Sequence, residues 1–241
     1  MKLSNGIYAY CIAKFDQEEI DRSKLPGEAF FIQYRNIAAI VASVPKTSWQ
    51  PTRKNILRHQ KLTTRVQEDF IVLPLRFGVV FKDKKEVEKV LAEKYSEIKH
   101  LLNKVQGRVE LGLRVFWIQD AFVKAVGTRK VEKLKKDYAS GKRDRYMIAL
   151  EAGKIVEAAV MQRRDEYVRE IFNPLSKLAD DAALNPVSGE KMVFNAAFLV
   201  KEQKLTDFDA AVKNFHDQYK DKFIIKYSGP WPPYNFVKVN W

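Results

Sequence analysis

Glu28-Ala-Phe-Phe-Ile-Gln-Tyr-Arg-Asn-Ile-Ala-Ala-Ile-Val-Ala-Ser-Val44 decides the fold class of this 241-residue chain. Residues 28–34 and 37–44 read as two strands. Arg35-Asn36 between them is a two-residue polar break, which predicts a tight hairpin. Ile37 through Ala42 are apolar at every position, so both faces of the second strand should be covered, as in a central strand. Residues 7–13 form another apolar strand pattern upstream. Downstream, residues 52–68 read as a helix. Residues 73–81 follow as a strand with Pro74 near its start, where a lost donor does least harm. Asp83 and Glu86 then form an N-cap signal. The helix behind them carries an apolar stripe of Val87, Val90, Leu91, Ile98, Leu101, Leu102 and Val105.

A second unit begins near Gly107. Val109, Leu111, Leu113 and Val115 alternate with Arg108, Glu110, Gly112 and Arg114, a strand with one covered face. A charged helical region should run over 119–184, interrupted at Ser140-Gly141 and kinked at Asn173-Pro174. Residues 192–201 read as a strand, Thr206 as the cap of a short helix, and residues 223–227 as the last strand. The chain then enters Gly229-Pro-Trp-Pro-Pro-Tyr-Asn-Phe236. Three prolines exclude helix, and the rings argue against a solvated tail. This segment is expected to cross the end of a domain in extended form, pinned by its rings. Two α+β domains follow, over residues 1–105 and 106–241, with the C-terminal segment in the second.

Composition narrows the function. Lysine and arginine exceed acids by a net +13. The excess is spread over both halves, which favours anionic partners without choosing among nucleic acid, lipid and acidic protein. Cys11 is the lone cysteine. With no second cysteine it can form no intramolecular disulfide, and its place in an apolar strand pattern leads to the expectation of a buried, inert thiol. With no secretion signal evident, the cytoplasm is the expected compartment. The longest apolar run, residues 37–44, is too short to span a bilayer.

No catalytic set assembles from the sequence. His59, His100 and His216 fall on three different helices, none near cysteine or acid at metal-ligand spacing. His59 and His100 are expected to face solvent. No phosphate-binding loop, dinucleotide turn or nucleophile elbow is present. Asp180-Asp181 reads as adjacent helical residues that point apart. No catalytic residue, metal or cofactor is therefore expected. Phe77-Gly-Val-Val-Phe81 faintly resembles the aromatic strand of an RNA recognition motif, but Arg76 stands where its glycine belongs and Val replaces its second ring. Arg76 itself, between Leu75 and Phe77, suggests a buried ion pair or an edge contact, with Glu110 as the partner.

The candidate binding residues are surface ones. Lys54, Arg58, Lys61 and Arg65 recur at i, i+4, i+7 and i+11, one narrow face of the first helix, while Ile56, Thr63, Val66 and Phe70 fall opposite. The stripe is a candidate docking face for an acidic partner. Arg76, Trp231 and Tyr234 complete the set. A second basic block over residues 129–145 reads as a solvated helix and turn, since nucleic-acid binding would want interleaved rings.

Three stretches carry a family resemblance: Leu73-Pro-Leu-Arg-Phe-Gly-Val-Val-Phe81, Gly107-Arg-Val-Glu-Leu-Gly-Leu-Arg-Val-Phe116 and Gly229-Pro-Trp-Pro-Pro-Tyr-Asn-Phe236. Together with Gly6-Ile-Tyr-Ala-Tyr-Cys-Ile-Ala13, their order resembles the gas vesicle protein F and L family over nearly the whole chain, with the F branch favoured. The resemblance implies a first domain that varies the ferredoxin-like fold and a second α+β domain with long helices and a small sheet. It implies a non-enzymatic accessory protein, associated with gas vesicles in the cytoplasm. Such a protein binds the small hydrophobic shell protein and other accessory proteins, and assists nucleation or assembly, as a minor vesicle component in one version. The alternative reading is an RNA- or DNA-binding α+β module, and a third is a small-molecule enzyme on the same scaffold.

Overall fold

The computed structural model describes residues 5–15, 25, 27–45, 50–127, 129–141 and 143–239. Lys142, within the second basic block, and Trp241 lie outside them. The chain divides into two compact units, Met1–Glu110 with Pro230–Trp241, and Leu111–Gly229.

The first unit contains β1 (Asn5–Lys14), β2 (Phe30–Tyr34), β3 (Ile37–Pro45), α1 (Arg53–Gln67), β4 (Ile71–Pro74), β5 (Val80–Phe81), α2 (Lys84–Glu93) and α3 (Tyr95–Val105). Its sheet runs β2-β3-β1-β4, with β5 also pairing β1. Every pairing described in it is antiparallel. The 28–44 hairpin forms in the expected place, with Tyr34 opposite Ile37. Its turn puts Arg35 at φ 53, the left-handed region that non-glycine residues avoid. Stacking helps hold it there, since the Arg35 guanidinium lies 5.4 Å from the Tyr34 ring and 4.9 Å from the Tyr95 ring.

β3 is apolar at nearly every position because the sheet has a helix layer on each face. Ile37, Ala39 and Val41 pack with Val87 and Leu91 of α2 and Ile98, Leu102 and Val105 of α3. Ala38, Ile40, Ala42 and Val44 pack with Leu62 and Val66 of α1. β1 serves both layers through a bulge. Its register against β3 slips between Ala9 and Cys11, and the extra residue reverses the alternation. Tyr8 and Tyr10 therefore share the α1 face with Cys11 and Ala13, while Ile7, Ala9 and Ile12 share the other.

Two elements differ from expectation in this unit. The 73–81 strand is split. Pro74 pairs Cys11 and Val80 pairs Tyr8. Between them the Leu75 N–H donates to the Tyr10 carbonyl at 3.0 Å, and the Ala9 N–H to the Val79 carbonyl at 3.0 Å. Arg76, Phe77 and Gly78 loop out, and Gly78 turns at φ 97, where a side chain would be strained. The 84–105 helix is also two helices, broken at Lys94 (φ −101, ψ 10). The apolar stripe survives the break, since Leu91 and Ile98 remain in register on the core.

The caps follow the sequence. The Thr52 hydroxyl accepts from the Asn55 N–H at 3.2 Å, and the Asp83 carboxylate from the Glu86 N–H at 3.0 Å. Glu86 in turn accepts from the Lys82 N–H at 2.5 Å. Asp83→Ala is expected to cost about 1 kcal/mol, read as a lower denaturation midpoint at unchanged slope; an unmoved midpoint would remove the cap from the account.

The second unit contains most of β6 (Arg108–Trp117), then α4 (Gln119–Val126), α5 (Arg129–Ser140), α6 (Arg145–Tyr167) and a π turn, Val168–Phe172. It continues with α7 (Asn173–Ser176), β7 (Asp181–Asn185), β8 (Met192–Lys201), α8 (Leu205–Tyr219) and β9 (Phe223–Trp231). The sheet order is β7-β8-β6-β9. β8 has the expected bounds, and the break at Ser140-Gly141 occurs, with Gly141 at φ 64. The helical region stops at Ser176 rather than 184. Asp181–Asn185 is a strand paired with β8, Asp181 opposite Leu199. The Asp180-Asp181 pair is therefore not helical, and the Asp180 carboxylate lies 3.7 Å from Lys201. Thr206 does not cap α8, which starts at Leu205 without a side-chain cap. The core here is aromatic, with Phe198 5.1 Å from Phe208 and 5.5 Å from Phe172.

The C-terminal segment is where the reading by sequence differs most. β9 extends through Pro230 to Trp231, and residues 230–241 belong to the first unit, not the second. Phe236 and Val239 are buried, and Val237 packs on the α2/α3 core face. The segment is anchored by Glu110. The Asn235 N–H donates to one carboxylate oxygen at 2.7 Å, and its side-chain amide to the other at 2.5 Å.

Candidate functional site

α1 presents the candidate surface. Its amphipathic spacing buries His59, Leu62, Thr63 and Val66 and leaves Lys54, Arg58, Lys61 and Arg65 exposed, as expected for the stripe. The four cations are not equivalent. The Arg65 guanidinium pairs with the Glu68 carboxylate three residues on. The Arg58 guanidinium lies 3.7 Å from Glu28, whose side chain is 87% exposed, so water screens that pair. Lys54 and Lys61 have no ion-pair partner among the described residues.

The stripe borders a groove of about 560 Å³ lined by Gly27, Glu28, Lys54, Leu57, Arg58, Lys61 and Leu62. Leu57 is 42% exposed and Leu62 is buried, so the groove has aliphatic carbon between its cations. Burial chiefly raises the Tyr10 hydroxyl's pKa, with Arg58 opposing and Glu28 reinforcing the shift.

The inner side of α1 is braced by a polar chain. His59 Nε2 lies 3.0 Å from the Leu75 carbonyl, which can only accept, so this nitrogen carries the proton. Nδ1 then accepts from the Tyr8 hydroxyl at 2.8 Å, and that oxygen accepts from the Gly78 N–H at 3.3 Å. The Thr63 hydroxyl donates to the His59 carbonyl at 3.0 Å. Rings pack around the imidazole: Tyr8 at 5.7 Å, Tyr10 at 5.6 Å, Phe77 at 5.9 Å and Tyr234 at 6.5 Å. Burial lowers the His59 pKa, partly offset by the Leu75 carbonyl, and so keeps the ring neutral. The expectation of a solvent-facing His59 is thus wrong. Its spacing could have found it: 59, 63 and 66 lie one turn apart on the face opposite the stripe. His100 and His216 are exposed.

The remaining candidate residues scatter. Arg76 is exposed in the looped-out turn and is not paired with Glu110, whose carboxylate is taken by Asn235. Local sequence suggested a buried ion pair, whereas the Gly78 turn lifts Arg76 out of the sheet. Trp231 is half-buried at the end of β9. Tyr234 turns inward: burial pushes its hydroxyl up to about 12, with Thr63 beside it opposing the shift. The second basic block closes on its own acids and rings. Arg143 lies 3.5 Å from Asp137 and 2.8 Å from Glu151, and Arg145 lies 5.2 Å from the Tyr138 ring.

Features that would support other chemistry are weak. Cys11 is fully buried, which raises the pKa of its thiol. Among the described residues no group of three or more His, Cys, Asp or Glu is placed to hold a metal ion, and no helix is long and apolar enough to cross a membrane. A second concavity of about 600 Å³, lined by residues including Trp117, Lys124, Arg163, Tyr167 and Lys222, mixes these cations with Asp120 and Asp221.

Comparison with known proteins agrees with the motifs. The family model described as "Gas vesicle synthesis protein GvpL/GvpF" matches residues 6–238. Gas vesicle protein F of a Nostoc species is 25% identical, the match covering 99% of this chain and 100% of that protein. Two crystal structures share the fold. GvpF from an Anabaena species superposes with TM-score 0.78 at 22% identity, covering 99% of this chain and 98% of its own. GvpF from Microcystis aeruginosa gives 0.79 at 23%, covering 97% and 99%. The chain belongs to the gas vesicle synthesis protein GvpL/GvpF family.

Proposed function

We propose that this protein is a non-catalytic assembly factor that captures the small hydrophobic shell protein of the gas vesicle and assists its nucleation into the shell. Family membership supports a role in the gas vesicle. The observation carrying the finer reading is the outer face of α1, an exposed leucine among cations on a helix whose other face is locked into the core. A chaperoning surface needs accessible apolar carbon on a rigid support rather than a reactive centre. The long-range pull of a +13 chain adds fast encounter with acidic partners.

The test is co-expression with the shell protein and sibling accessory proteins. A complex that survives purification is the expected result. Reversing Lys54, Arg58, Lys61 and Arg65 to Glu should leave the circular dichroism spectrum unchanged, because exposed charges add little stability. Association should slow roughly tenfold or more, mainly through the on-rate. Unchanged binding to every vesicle partner would remove the stripe from the proposal. Failure to co-purify, together with steeply salt-dependent binding to an oligonucleotide, would favour a nucleic-acid module instead.

A further inference from the structure

We infer that the α1 groove receives an acidic amphipathic helical segment of its partner, carboxylates on Lys54 and Lys61 and an aliphatic side chain between them on Leu57. This deepens the assembly reading and rests on it for the partner's identity, but not for its chemistry.

Charge complementarity comes first. Of the seven described residues that line the groove, three are cationic and one, Glu28, is acidic. Lys54 and Lys61 lie seven residues apart, two turns of one helix face, or about 10 Å at 1.5 Å per residue. Carboxylates with the same two-turn spacing on a facing helix meet both ammonium groups. Arg58 sits between them and already holds a carboxylate, the exposed Glu28 at 3.7 Å. The groove therefore contains its own model of the contact. A partner acid would compete with Glu28 for Arg58, a charge that the protein keeps partly occupied.

Aliphatic carbon selects among anions. Leu57 falls within the Lys54–Lys61 span of α1 and is 42% exposed, and the buried Leu62 lines the same groove. A nucleic-acid strand would want rings for its bases to stack on, and among the described residues no aromatic side chain lines the groove. A membrane surface favours a broad face with protruding apolar residues, whereas this site is concave. An amphipathic helix matches both components, presenting apolar residues at i and i+3 or i+4 beside its acids. The buried His59 bonds hold α1 before any partner arrives, so little ordering is lost on docking.

The probe is a fluorescein-labelled helical peptide of 18 residues, with Glu two turns apart and Leu between, read by anisotropy on the full chain. The expected result is saturable binding that weakens at least tenfold in Lys54→Glu/Lys61→Glu and at least threefold in Leu57→Asn. Lys99→Glu, an exposed position on α3 away from the groove, should change it less than threefold. Glu28→Gln should tighten binding two- to threefold by removing the internal competitor. A peptide with Gln in place of Glu should lose most of the affinity. Binding that ignores the Lys54, Lys61 and Leu57 substitutions overturns the inference. So does an oligonucleotide or anionic vesicle that binds more tightly and is lost in the same variants. Circular dichroism excludes unfolding as the cause of any loss. If shell protein co-purifies undiminished with Lys54→Glu/Lys61→Glu, the groove assignment fails while the assembly reading stands. If the peptide binds as described but no vesicle protein ever co-purifies, the groove stands and the assembly reading fails.

Discussion

Truncation after Gly229 should unfold the first unit. It strips Val237 from the α2/α3 side of the core and removes the buried Phe236 and Val239. It also leaves the Glu110 carboxylate without both Asn235 donors. Burying a phenylalanine and a valine contributes about 1.5–3 kcal/mol each. An orphaned buried acceptor adds about 1–3 kcal/mol. The sum is on the order of 5 kcal/mol, the scale of a whole domain's stability. Hydrogen exchange should show the amides of β1 and β3 losing protection, or the truncated chain should fail to accumulate in soluble form. Wild-type protection in β1 and β3 would show that the segment is dispensable to the core and move it to a binding role.

Acidification should destabilise the first unit through His59. Burial holds its folded-state pKa below the ordinary 6.5. Above 6.5 neither state binds the proton, so His59 has no pH-dependent effect. Below 6.5 the unfolded chain takes up a proton that the folded chain refuses, and stability falls by up to about 1.4 kcal/mol per pH unit until the folded pKa is reached. Glu110 acts oppositely. Burial raises its pKa above 4.5, with the Asn235 bonds resisting, so its contribution to stability grows as pH falls through that raised value. The two are separable by variant. His59→Ala should cost about 3 kcal/mol at neutral pH, from the cavity and the abandoned Tyr8 hydroxyl and Leu75 carbonyl. It should also remove the slope just below 6.5. A variant that melts with the wild-type slope there would clear His59 as its source.

Local periodicity made much of the fold legible. The 28–44 hairpin, the doubly covered β3, the outer face of α1, the Asp83 cap and the bounds of β8 all follow from signals within a few residues. What was missed depends on distant partners. Nothing near Arg76 reveals that β4 and β5 return to the same strand three residues out of step, or that Asn235 rather than Arg76 satisfies Glu110. Asp181–Asn185 continues a charged helical pattern and becomes a strand only because β8 offers an edge. The bulge at Tyr10 likewise reverses which side chains meet α1. The candidate stripe was readable because exposed charges at helical spacing need no partner. Its internal differences were not, because they turn on Glu28 and Glu68.

The first unit is interrupted in sequence, opened at Glu110 and resumed at Pro230. During synthesis at about 5–20 residues per second, roughly 6–26 s separate the emergence of residue 110 from that of residue 239. Throughout that interval β1 to β5 lack Phe236 and Val239, and Glu110 waits for Asn235. The intervening unit has no such wait, since residues 111–229 are contiguous and have all emerged before residue 230. The helix that carries the docking groove is therefore made well before Tyr234, whose ring packs 6.5 Å from its His59. A partner meets it in finished form only after the ribosome has read through residue 239.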